Sequence, residues 1–254
     1  MGRLKINRIN ELAYNKQKLM MKIIKYNGNN DIDIEFENGW IARNRSYFDF
    51  KKGSIKNPYC PSVYGIGFLG EGEYSAGLNK RHTKEYVLWK NMLKRCYDND
   101  YQEKLPTYKG CSVCKEWHNF QNFAKWFNEN YYEVDDERME LDKDIFVKDN
   151  KIYSPSTCCF VPQRINKLFT KRQNKRGDLP IGLKYNKKLK IQVSCDTGNG
   201  RRKHLGYYDT ETEAFQVYKE FKENYIKQVA DEYKDKIPEK LYNALYCYEV
   251  EIND

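Results

Sequence analysis

Apolar and polar positions alternate in short runs near the start of the chain. Asp31-Ile32-Asp33-Ile34-Glu35-Phe36 alternates over its whole length, the pattern of a half-buried strand. Lys22–Tyr26 and Trp40–Ala42 read as its neighbours, across turns at Asn27–Asn30 and Asn38-Gly39. Ahead of them, Asn7–Met20 is predicted as a short helix with Ile9, Leu12 and Leu19 partly on one side. Asn57–Gly77, rich in Gly and Tyr, reads as a connecting loop. The period then becomes helical. Tyr86, Trp89, Met92, Leu93 and Cys96 share one face of a helix that Thr83 is expected to cap. Trp117, Phe120, Phe123, Ala124 and Phe127 share one face of a second, Trp117–Tyr131. Such stripes are most simply core.

The next stretch reads as strand, turn, strand, helix. Leu141–Val147 is apolar, interrupted by Asp142 and Asp144. Lys148–Lys151 is a turn, and Ser154-Pro155 ends a short second strand. Phe160–Arg172 carries Ile165, Leu168 and Phe169 at helical spacing. Beyond it, Ile181–Tyr185, Lys190–Cys195 and Lys203–Tyr208 read as three strands, the last two joined by a turn at Thr197–Gly200. Thr210-Glu-Thr-Glu213 is a capping box opening a helix whose apolar face is Ala214, Val217, Tyr218 and Phe221. Pro238 starts a terminal helix through Tyr246. The expected class is α+β. The regions are a β-rich start (residues 1–78), a helical centre (79–176), a sheet-and-helix module (177–236) and a C-terminal helix or tail (237–254).

Charge changes the picture more than length does. The chain has 254 residues, 40% of them hydrophobic, and a formal net charge of +9. The apolar share supports packed cores, and the charge favours a polyanionic partner, of which nucleic acid is the simplest. The plainer alternative is a soluble basic protein. No apolar run approaches the ~20 residues of a membrane span. Gly2-Arg3-Leu4-Lys5 begins no apolar signal region, so a cytoplasmic setting with reduced thiols is expected. Cys111-Ser-Val-Cys114 has zinc-ligand spacing, and with Cys158 and Cys159 would make a structural zinc set. Cys158 alone, with His118, would complete a different set, and buried free thiols are the plainer reading.

Two segments carry resemblances. Leu141-Asp142-Lys143, the Asp149-Asn150 turn, Cys159-Phe160-Val161 and Asn166 resemble the ββα-metal motif of phage HNH endonucleases. The aromatic helices before it fit the same pattern, and the N-terminal strands resemble the small β-meander preceding it. The resemblance implies Mg²⁺ or Mn²⁺ at Asp142 and an orienting role for Asn166. It also implies a general-base His where this chain has Lys143. Asp144 would stand in for Asp142 in a register shifted by two, since same-face strand positions repeat with period 2. Lys143 is a poor base at neutral pH and would instead touch the scissile phosphate. His82 and His118 are the alternative bases, with nothing in the sequence to place either.

The second segment, with Gly182-Leu183, Ile191–Val193, His204-Leu205-Gly206-Tyr207 and Thr210 through Tyr218, resembles an Apetala-type DNA-binding domain. In that family the sheet enters the major groove of double-stranded DNA. By position, Lys184, Lys187, Lys188, Lys190, Gln192, Ser194, Arg201, Arg202 and Lys203 would lie on or beside it. Lys and Arg suit phosphates, and Gln192, Ser194 and an Arg suit bases. Lys171 and Arg172 belong to a basic linker expected to follow the DNA backbone. Together the resemblances imply a metal-dependent nicking endonuclease of a phage, acting in the bacterial cytoplasm. The alternative is a degenerate nuclease fold that binds DNA, or a host protein, by occupancy. No heptad or pairing signal argues for an oligomer.

Overall fold

The computed structural model describes residues 7–170, 179–186 and 190–254. The class is α+β, with a small antiparallel sheet at the N-terminal end. The chain forms two compact units, Met1–Lys109 with Val113–Lys125, and Gly110–Ser112 with Trp126–Asp254. The helical centre expected over 79–176 therefore contributes to both.

In the first unit β1 (Leu12–Tyr14), β2 (Met20–Tyr26), β3 (Ile32–Phe36) and β4 (Ile41–Arg45) form one antiparallel sheet in sequence order. Alternation puts Met21, Ile23, Ile32, Ile34 and Phe36 into a core closed by Ala42, Phe50 and Ile55. The helix expected over Asn7–Met20 is replaced by β1 and a turn. The Asn15 side-chain oxygen accepts the N–H groups of Gln17 and Leu19, both at 2.9 Å, which holds the chain in a turn instead of a helical ladder. A helix the pattern did not predict, α1 (Tyr47–Lys52), is opened by Ser46, whose hydroxyl accepts from the Asp49 amide at 3.0 Å.

The expected loop 57–77 ends in a two-residue strand, β5 (Gly77–Leu78), paired with β6 (Arg81–His82). Helix α2 (Lys84–Tyr97) buries Trp89, Met92, Leu93 and Cys96. Thr83 stands at its N-cap but does not cap it with its side chain; its hydroxyl donates to the Ser75 carbonyl instead. A short helix, α3 (Asn99–Lys104), follows. After β7 (Ser112–Val113), Trp117 lies in a 3₁₀ turn (Lys115–His118) ahead of α4 (Phe120–Asn130), not on the helix itself. The aromatic stripe divides with the units. Phe120 lies 5.4 Å from Trp89 between ring centroids in the first, and Trp126 lies 5.1 Å from Phe160 in the second.

The second unit holds both resemblance segments. Strand β8 (Met139–Asp142) pairs antiparallel with β10 (Cys159–Pro162), placing Leu141 opposite Phe160 and Asp142 opposite Cys159. The expected strand through Val147 stops at Asp142, and its partner is β10, not the segment ending at Ser154-Pro155. That segment contains only the short β9 (Ile152–Tyr153). Helix α5 (Gln163–Leu168) is shorter than expected, because Phe160–Pro162 belongs to the strand. Then β11 (Leu183–Tyr185), β12 (Ile191–Asp196) and β13 (Arg202–Tyr208) form an antiparallel sheet. Helix α6 (Glu211–Glu232) covers one face, with Ala214 and Tyr218 against Leu183, Ile191, Val193 and Cys195. Thr210 caps it as expected, accepting from the Glu213 amide. Helix α7 (Glu239–Tyr246) follows Pro238.

Gly182 is required where β11 begins. Its φ is +85°, and an added Cβ would lie 2.2 Å from the Tyr218 ring. Arg164 on α5 ties the segments together within this unit. Its guanidinium reaches Glu232 at 2.6 Å and lies over the Tyr233 ring. The Tyr233 hydroxyl in turn donates to Glu137.

Candidate nucleic-acid interface and the ββα loop

The loop after β8 is built around its own polar groups. The Asp142 Oδ1 accepts the backbone N–H groups of Asp144 at 2.7 Å and Ile145 at 2.8 Å. This turn ends the strand. Burial raises the Asp142 carboxyl above its usual range, with the two amides and Lys143 pulling the other way. Lys143 is 7% exposed. Its ammonium donates to Asp144 Oδ1 and to the Asn150 carbonyl, both at 2.6 Å, and lies over the Tyr153 ring. Asn150 closes the loop from the other side. Its side-chain amide donates to the Lys143 and Ile152 carbonyls, and its side-chain oxygen accepts from the Ile152 amide. Asp149, at φ +54°, makes the expected turn.

The site residues expected here are thus brought together, but for loop closure. Asp142 spends an oxygen on two amides, and Asp144 is ion-paired with Lys143. Lys143 is buried and engaged, so it is not presented to a phosphate. Asn166 is half-buried on α5. A divalent cation fits this donor set poorly, because it would compete with hydrogen bonds that the loop itself uses. Among the described residues, no group of three or more His, Cys, Asp or Glu side chains could hold a metal ion. Cys111, Cys114, Cys158 and Cys159 form no disulfide, Cys111 and Cys158 being buried and the other two half-buried. Burial first, and then the facing Asp142, push the Cys159 thiol up. His118 and His82 sit in the first unit, hydrogen-bonded to the carbonyls of Val113 and Ala76.

Asp142→Asn keeps the accepting oxygen and removes the buried charge, so it separates the two roles. The raised carboxyl favours the protonated folded state. That contribution is complete at acid pH and is lost as pH rises through the folded-state value. Asp142→Asn is therefore expected to equal or exceed the wild type in stability at pH 7, with the difference vanishing toward pH 3. Asp142→Ala, which removes the oxygen that accepts from both amides, is expected to cost about 2 kcal/mol. Urea denaturation at the two pH values checks both.

The second surface is the sheet face away from α6. Antiparallel partners share a face, and the register gives one row of Lys184, Gln192 and Tyr207. A second row pairs Ser194 with His204, and a third pairs Asp196 with Arg202. The register shifts between Val193 and Ser194, leaving Leu205 as the extra residue of a bulge. The bulge brings His204 and Tyr207 to the same side, though three positions would otherwise part them. Their rings lie 4.9 Å apart, and Gln192 Nε2 reaches His204 Nδ1 at 3.4 Å.

Of the expected contact residues, Lys184, Gln192, Ser194 and Arg202 share this face. Lys203 lies opposite Cys195 and so falls on the helix side at the edge strand, although exposed. Arg201 is exposed in the turn whose Asn199 side chain accepts its amide. Lys190 is exposed and ion-paired with Asp209 at 3.2 Å. Lys171, Arg172, Lys187 and Lys188 lie outside the described residues. His204 and Tyr207 are additions to the contact set. Gly206, at φ +132°, was the one sequence signal of the irregularity that aligns them.

Against protein-family models, curated proteins and solved structures, the chain finds no match. Among the described residues, no helix is long and apolar enough to cross a membrane.

Proposed function

We propose that this protein binds double-stranded DNA through the outer face of β11–β13 and acts by occupying its site, with the ββα segment as a rigid support. The observation that carries this reading is the sheet itself. One face is sealed by α6, and the other gathers Lys184, Arg202, Gln192, His204 and Tyr207 on a basic chain. Cations there supply the salt-dependent phosphate attraction, and Gln192 with its neighbours supplies groups that read base edges. The support role follows from Lys143. Where the HNH resemblance implies a base, this chain has a buried ammonium engaged by Asp144 and Asn150. The HNH resemblance implies that this activity belongs in the cytoplasm of a bacterial host cell. A host protein meeting the same basic face is separated from DNA by salt, since DNA affinity falls steeply with added salt.

A second reading is a metal-dependent nicking endonuclease directed by the same sheet. It is favoured by the order β8, loop, β10, α5, with Asp142 at the strand end and Asn166 on the helix. Supercoiled plasmid with Mg²⁺ or Mn²⁺ decides between them. The expected result is binding without nicking. Nicking by the wild type that disappears in the Asp142→Ala, Asp144→Ala double variant would establish the nuclease instead.

A further inference from the structure

The β5–β6 hairpin of the first unit has no part in the reading so far. Its root is firmly held. The Gln121 side chain accepts from the Tyr74 amide and donates to the Tyr74 and Leu69 carbonyls. Thr83 donates to the Ser75 carbonyl, Ser75 to the Gly77 carbonyl, and the His82 ring lies 4.8 Å from that of Tyr86. Its tip is the opposite. Leu78 is 68% exposed, and Asn79, Lys80 and Arg81 are exposed beside it. Leu78 and Arg81 are register partners, so their side chains leave the same face of the ribbon.

The turn residues Asn79 and Lys80 have φ of +50° and +64°. Two left-handed residues make the tight turn that suits a hairpin twist, and Gly ordinarily follows Asn there. Lys80 instead adopts a conformation that L residues avoid, which keeps a charge at the tip. Neither Lys80 nor Arg81 makes an ion pair among the described residues. The nearby acids are Glu73, exposed before the hairpin, and Glu85, half-buried on α2.

We propose that this hairpin is a second DNA contact, in which Leu78 enters between base pairs from the minor groove while Lys80 and Arg81 lie on the flanking phosphates. The inference rests on the reading of the protein as DNA-binding. A single exposed leucine is ordinary by itself. Here it stands at the end of an anchored ribbon, beside two cations, where one apolar side chain is all that a wedge requires. A ribbon with two residues per strand is too small for a stable protein interface. The unstacking that a wedge demands is offset by the phosphate contacts of the neighbouring cations.

The test uses the full chain and a short duplex carrying 2-aminopurine at TA steps, which unstack most easily. Saturation with wild type is expected to raise the fluorescence severalfold, and Leu78→Phe to preserve the rise. Leu78→Ala is expected to bind with most of the rise lost. Lys80→Ala with Arg81→Ala is expected to lower the salt slope by about 2. Binding without a rise, or a rise unchanged by Leu78→Ala, overturns the hairpin contact and leaves the sheet reading intact. No binding by wild type overturns both. Binding that survives charge reversal at Lys184 and Arg202 but falls with the hairpin variants overturns the sheet reading alone.

Discussion

Reversing charge at Lys184 and Arg202 together, each to Glu, is expected to weaken binding to duplex DNA on the order of 60-fold at 0.1 M salt. The two residues lie in different strands of one exposed face, Lys184 opposite Gln192 and Arg202 opposite Asp196. Each lost phosphate contact removes about 0.9 of a decade in affinity at 0.1 M relative to 1 M salt, and shallows the salt slope by about the same amount. Glu in place of the cation adds repulsion. Lys203→Glu is the internal comparison, because Lys203 lies opposite Cys195 on the other side of the sheet. Its effect is expected to be several times smaller. Gln192→Ala is expected to leave the slope alone and reduce discrimination between sequences. Fluorescence anisotropy across a salt series reads all three variants. An effect of Lys203→Glu as large as half that of the double reversal, in decades of affinity, would mean that general charge, not the face, does the binding.

Lys143→Met is expected to destabilise the second unit by about 2 kcal/mol without weakening DNA binding at the sheet. The ammonium is buried and supplies donors to Asp144 and to the Asn150 carbonyl. Removing one partner of a buried ion pair commonly costs 3–5 kcal/mol. The smaller figure applies here because the Asp144 side chain is 47% exposed and returns to water. The Asn150 carbonyl, left without its donor, carries most of the loss. Adding Asp144→Ala to Lys143→Met is expected to cost less than the sum of the single changes, since the pair is a unit. Urea denaturation with anisotropy on the same samples checks both statements. Unchanged stability with weakened DNA binding would place Lys143 at the nucleic acid and revive a direct role for the loop.

Lys143→His tests the same position from the nuclease side. The shorter imidazole cannot reproduce both hydrogen bonds of the ammonium, so stability is expected to fall. Gained nicking in Mg²⁺ would show that the rest of a cleavage site had survived in the loop.

Much of the architecture was legible along the chain, because local periodicity dictates which side of a strand or helix can be buried. The alternation in Ile32–Phe36, the stripe from Trp89 to Cys96, the three strands before Thr210 and the cap at Thr210 all appear in the fold. Two of the misses share one physical character. Asn15 at the start, and Asp142 with Asn150 in the loop, hold backbone amides and carbonyls with their side chains. A hydrophobic pattern does not register such competition. It erased the expected N-terminal helix and cut the expected strand at Asp142.

The sequence by itself determined the α+β class, the basic character and most element positions, since these depend on residue type and spacing. Tertiary structure decided where the expected site residues lie and what they touch. Lys143 was expected to touch a scissile phosphate, and in the fold its ammonium lies against Asp144 and Asn150. His204 and Tyr207 became members of the exposed face only through the bulge at Leu205. Strand register and the pairing of buried charge are set by contacts between distant positions. A linear pattern does not contain those contacts.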